Sequence, residues 1–173
     1  MATLHHNISG ELTQELLAPG ENVKVSKISL TNVQKVSKCK VDLYINRVAG
    51  EDYGKFYLLK GVELPIGATL IYDDIKFNNA SGAYGLYIKL TDGATFTLTG
   101  SIDPAASTDV TGVNTLFLSE LSIGDEIVVS GETKIVSAIT SDTDLDVSAA
   151  FSNNGNDTTP DCNPTALVDV IIN

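Results

Sequence analysis

Apolar residues recur at alternate positions in short runs along the first half of the chain, and punctuation residues separate the runs. In "NVKVSKISLTNV" the apolar points are Val23, Val25, Ile28 and Leu30, with a slip of phase at Ser26–Lys27 that predicts a bulge or bend. "CKVDLYINRV" alternates Val41, Leu43 and Ile45 against Asp42, Tyr44 and Asn46. "KFYLLKGVELP" reads as a strand closed by Pro65, and "TLIYDDIKF" and "YGLYIKL" follow. The turn signals between them are "APGEN", "AGEDYGK", "PIGAT", "NNASG" and "TDG". Only "GELTQELLA", from Gly10 to Ala18, has a helical spacing, through Leu12, Leu16 and Leu17, and a helix that short is marginal.

From Gly93 the texture changes. The apolar runs "TFTLTGSI", "NTLFLSEL", "DEIVVSG", "TKIVSAI" and "TDLDVSAAF" are joined by small polar turns. After "SNNGNDTTPDCNP" comes "TALVDVIIN", a final strand. Many short strands with regular turns predict an all-β chain of sandwich or barrel type.

Charge sharpens the division. Residues 93–163 contain eleven acidic residues and one basic residue, Lys134, whereas the rest of the chain is at −1, for a total of −11 over 173 residues. Such an asymmetry marks a boundary. The expected organisation is a β-sandwich, jelly-roll-like domain from residues 1–92 plus 164–173, with a small acidic β-barrel, 93–163, inserted before the last strand. Two β domains in series are the alternative. Both junctions are turn-rich, where insertion is tolerated.

The charge and a pI near 4.4 also disfavour nucleic acid and anionic membrane as partners, since both need clustered Lys and Arg. No stretch approaches the roughly 18 apolar residues of a membrane span. "MATLHHNISG" lacks the pattern of a secretory signal, which predicts folding in a cytoplasm. Cys39 and Cys162 are too few for a disulfide framework and are expected as unpaired thiols, Cys39 on a strand and Cys162 in a loop.

Candidate chemistry is sparse. His5 and His6 are the only histidines; neighbours on an extended chain point to opposite sides and chelate one ion poorly. There is no G-x-S-x-G elbow and no phosphate-binding glycine loop. Asp142, Asp144 and Asp146 alternate, but Val147 stands where a calcium loop needs glycine, so a solvated acidic edge opposite Leu145 and Val147 is expected. The pairs Asp73–Asp74 and Glu51–Asp52 lie in or near turns. Tyr44, Tyr53, Tyr57, Tyr72, Tyr84 and Tyr87 all fall before residue 93; core edge and protein interface are both open to them. No catalytic, cofactor-binding or metal-ligating residue is assigned.

The stretch from Thr99 to Phe151 resembles a small β-barrel module of tailed-phage virion proteins. The likeness is carried by Thr108, Val110, Thr111, Gly112, Thr115 and Phe117, then Ser119, Leu121, Gly124 and Asp125, then Ile127, Val129, Ile135 and Val136. Ser141, Asp142, Thr143, Leu145 and Phe151 complete it. Phe117, Leu121, Ile127, Ile135 and Leu145 suit a barrel interior. The strands of the first domain, with "LYIKL" and the closing "VDVIIN", resemble small β-sandwich virion proteins of cyanophages. The resemblance implies a non-enzymatic virion structural protein, foremost a capsid decoration (cement) protein assembled in the host cytoplasm. Its implied partners are the major capsid protein, other virion proteins and further copies of itself, as a trimer. A tail, neck or fibre component, or a host-glycan binding module using "NNASGAY" and "FSNNGNDTTPDC", is the alternative.

Overall fold

A computed structural model describes residues 3–47, 54–80, 83–152 and 155–173. The Glu51–Asp52 pair, Tyr53 and parts of the "AGEDYGK", "NNASGAY" and "FSNNGNDTTPDC" loops lie outside the described residues.

The chain is all-β. Nine strands come first: β1 (Leu4–Ser9), β2 (Gln14–Leu17), β3 (Lys24–Val25), β4 (Ile28–Asn32), β5 (Cys39–Asn46), β6 (Phe56–Leu64), β7 (Thr69–Tyr72), β8 (Phe77–Asn78) and β9 (Gly85–Thr91). Then follow β10 (Phe96–Thr97), β11 (Ser101–Asp103), β12 (Asp109–Val113), the short helix α1 (Phe117–Glu120), β13 (Glu126–Val129), β14 (Glu132–Ile139), β15 (Asp144–Val147), β16 (Asp161–Asn163) and β17 (Leu167–Ile172). By internal contacts the chain divides into two compact units. The first holds 1–34, 38–92 and 166–173; the second holds 35–37 and 93–165.

The first unit is a sandwich of two antiparallel four-stranded sheets, ordered β1-β17-β4-β7 and β2-β9-β5-β6. Ile8, Ile28, Leu30, Val168, Val170 and Ile172 from one sheet share a core with Leu16, Val41, Leu43, Leu86, Ile88 and Leu90 from the other. Burying each such side chain contributes about 1.5–3 kcal/mol. β17 lies inside its sheet, between β1 and β4, so the last residues of the sequence complete the centre of the fold. The chain breaks between β3 and β4 at Ser26 and Lys27, whose N–H groups both donate to the Asn173 carbonyl (2.8 and 3.1 Å).

Several expectations change. Residues 10–18 form no helix. Gln14–Leu17 is a strand with a register shift between Glu15 and Leu17, and Leu16 and Leu17 are both buried. Pairing with β9 satisfies backbone groups that a nine-residue helix would leave open at its ends. The alternation in β5 also fails as a solvent signal, because Tyr44 and Asn46 on its second face are as buried as Val41 and Leu43.

The second unit is one seven-stranded antiparallel sheet, ordered β10-β16-β13-β14-β15-β12-β11, around a core of its own. A bridge between Ile102 of β11 and Asp157, shortly before β16, ties one end of this order towards the other. "NTLFLSEL" contains a turn of helix rather than a strand, and Phe117 is its buried residue. Cys162 is not in a loop. It lies on β16, fully buried. Ile135 is not interior either: it is 46% exposed, and Val136 beside it fills the core. Alternation along β14 sends one of two adjacent apolar residues outward, and the register shift between Val136 and Ala138 resets the phase beyond them.

Candidate functional site

A candidate surface lies on the sheet β2-β9-β5-β6. Register puts Glu15, Tyr87, Tyr44 and Tyr57 in one row across all four strands. The rings of Tyr44 and Tyr87 stack at 5.9 Å, and Tyr44 meets Tyr57 at 5.5 Å. The Tyr87 hydroxyl donates to Glu15 Oε2 (3.0 Å), and the Tyr44 and Thr13 hydroxyls are 3.3 Å apart. Burial and the adjacent Glu15 carboxylate push the Tyr87 hydroxyl up from 10.0 to about 12. Lys55 lies over the Tyr44 ring at 4.9 Å and Lys60 over Tyr57 at 4.7 Å.

These are cation–π contacts, each worth about 0.5–1 kcal/mol where exposed. They hold cationic heads on an aromatic floor. Tyr44 and Tyr87 are buried and form that floor, while Tyr57 remains 40% exposed. Two residues along, Lys89 faces Asp42 across β9 and β5, and Lys40 faces Glu63 across β5 and β6. Asp42 is occupied by the Gly61 N–H (2.6 Å) and Glu63 by Lys38 (2.9 Å). Gly61 sits at φ +61° in the bulge that makes this approach possible. A second aromatic–cation group continues the inner-facing positions beyond the core: Phe56 meets Tyr84 edge-on at 5.8 Å, and Arg47 lies over Tyr84 at 5.2 Å.

The sequence candidates are placed as follows. His5 is exposed and His6 half-buried on the edge strand β1. The Nε2 of His6 is buried without a hydrogen-bond partner. Both line a shallow groove of about 370 Å³ with Asn7, Asp169, Val170 and Ile171. Asp142, Asp144 and Asp146 do not form a sheet edge. β15 is an interior strand between β14 and β12. Asp142 receives the Leu118 N–H (3.1 Å), and Asp144 receives the Ser141 hydroxyl (3.1 Å). Among the described residues no three His, Cys, Asp or Glu side chains are grouped to hold a metal ion. Cys39 and Cys162 are buried free thiols. Burial, helped by Asp92, pushes the Cys39 thiol from 9.0 to about 11; burial, helped by Asp125 and Glu120, pushes Cys162 up further.

Two structural anchors were marked in the sequence only as part of the resemblance, with no contact assigned to them. Asp125 is fully buried: its carboxylate accepts the N–H groups of Ser122 (2.8 Å) and Thr165 (2.9 Å). A Cβ on Gly112 would collide with the Thr115 hydroxyl and lie 2.8 Å from Phe117 Cζ. The spacing Gly112-x-x-Thr115-x-Phe117 is therefore one packing contact.

No family model and no curated protein matches the chain. Among solved structures, the T13 IBDV viral particle is 8% identical with a TM-score of 0.26, covering 98% of this chain and 38% of that one. The infectious bursal disease virus Gx strain is 9% identical with a TM-score of 0.23, covering 98% and 40%. The VP2 subviral particle of the same virus is 11% identical with a TM-score of 0.21, covering 98% and 41%. The chain thus spans about two fifths of the solved chains it matches, and a likeness at that TM-score fixes neither fold nor function.

Proposed function

We propose that this chain is a non-enzymatic virion structural protein of a tailed phage, a decoration protein that attaches to the capsid shell as a homo-oligomer. The observation that supports this most is architectural. Of the residues that carry the resemblance to phage virion modules, Val110, Phe117, Leu121, Ile127, Val129, Val136, Leu145 and Phe151 are buried core, and Gly124 is a turn residue at φ +96°. Gly112 and Thr115 pack under Phe117. They serve shape. On this reading residues 93–163 are a barrel inserted before the last strand of the sandwich, and the −10 block stays solvated and resists indiscriminate association.

Quantitative mass spectrometry of purified particles tests the proposal. A copy number comparable to the major capsid protein fits shell decoration. A handful of copies moves the protein to the tail or neck, and absence from the particle overturns a virion role. The insertion is tested by replacing 93–163 with a short Gly-Ser linker: a remainder that keeps its β spectrum and cooperative melting supports it, and an unfolded remainder refutes it.

A further inference from the structure

We propose that the lysine-bearing outer face of β9, β5 and β6 docks the aspartate-bearing outer face of β11, β12 and β15 on a second copy of this chain. This interface is independent of where the protein resides in a particle.

The first face carries more cations than anions: Lys38, Lys40, Lys55, Lys60 and Lys89 stand with Glu15, Asp42 and Glu63. Lys40, Lys60 and Lys89 are exposed and make no ion pair among the described residues. The carboxylates nearby are already engaged: Asp42 by the Gly61 N–H, Glu63 by Lys38 and Glu15 by the Tyr87 hydroxyl. Half-exposed Tyr57, under Lys60, adds an apolar centre.

The opposite situation holds on the second unit. Register aligns Asp109 with Asp146, and Asp103 with Thr111 and Asp144, so carboxylates occupy neighbouring outward positions on three strands. Their strand neighbours Ile102, Val110, Leu145 and Val147 point into the core. Like charges directly opposite across strands are unfavourable. The single cation of 93–163, Lys134, is already paired with Glu132 (3.4 Å). Exposed Val113 lies along the same strand as Asp109.

One surface therefore has an excess of cations and the other an excess of carboxylates; β9, β5, β12 and β15 are interior strands of their sheets, and β6 and β11 are edges. Complementary charge of this kind sets specificity and association rate and weakens with salt. Because the two faces differ, every copy offers one of each.

Sedimentation velocity of the full chain tests this, at about 0.01 M and about 0.15 M salt, where the Debye length falls from about 30 to about 8 Å. The wild type is expected to self-associate at low salt, with affinity at least about tenfold weaker at the higher salt. K60E/K89E makes both faces acidic, and D103K/D109K/D146K makes both basic. Each variant alone is expected to stay monomeric, and an equimolar mixture to associate again. K60Q/K89Q, which introduces no repulsion, is expected to weaken association partially. A monomeric wild type at low salt, variants that associate like the wild type, or a mixture that stays monomeric overturns the proposal. Failure here leaves the copy-number test of virion location untouched, and the reverse also holds.

Discussion

The two units solve the same problem differently. The first encloses its core between two sheets, and β17, contributed by the last residues of the sequence, lies within one of them. The second wraps a single seven-stranded sheet around its core and draws every element from a nearly continuous stretch. The first holds all six tyrosines and nine of the eleven basic residues; the second has only Lys35 and Lys134 against eleven acidic residues. One outer face of the sandwich carries aromatic rings and cations. On the proposed reading that face makes contacts, and the carboxylate surface of the second unit repels all but a charge-matched partner.

The contrast is broken most forcefully in the cores. Leu43→Ala removes a fully buried side chain from the sandwich and is expected to cost about 2–5 kcal/mol. Differential scanning calorimetry should show one transition lowered and a second unmoved. A common shift would mean that the two units unfold as one. In the other unit, Gly112→Ala forces a methyl group against Thr115 and Phe117 and is expected to cost about 1–3 kcal/mol by urea unfolding. Asp125→Ala should cost a similar amount, about 1–3 kcal/mol, because two N–H groups lose their charged acceptor. An unchanged midpoint for either variant would mean that the unit relaxes around the site.

Smaller effects sharpen the comparison at the tyrosine row. With its folded value raised to about 12 from 10.0, Tyr87 retains its proton in the folded state over a range where the unfolded chain loses it. Its contribution is fully present below pH 10 and is lost as pH rises toward about 12. Tyr87→Phe should flatten the alkaline fall of stability; an unaltered slope would assign that fall to other groups. Smallest in energy is the thiol response. At pH 8 both Cys39 and Cys162 should resist a disulfide reagent until the chain unfolds, since both are buried and held protonated. Prompt reaction of either thiol in the native protein would show local opening.

Local pattern was enough for the all-β class, for the strands over 39–46, 85–91 and 167–172, and for the break at Ser26–Lys27. Period-two alternation and turn residues are properties of neighbouring positions. Where two apolar residues are adjacent, the pattern was ambiguous. Leu16–Leu17 resembled a helix face, and Ile135–Val136 gave no sign of which residue goes inside; pairing and register shifts decided both. The candidate surface was legible only as a list of tyrosines. That Tyr44 and Tyr87 are buried while Tyr57 is exposed depends on which strands adjoin, and so does the placing of Lys40 opposite Glu63 and Lys89 opposite Asp42. What the sequence determined by itself was charge, alternation and turns, because each is set within a few residues. Tertiary structure alone decided that Asp125 reaches Thr165, that Gly112 lies beneath Phe117, and that Asp109 stands opposite Asp146. Those contacts join residues that only folding brings within reach of a hydrogen bond or a van der Waals contact.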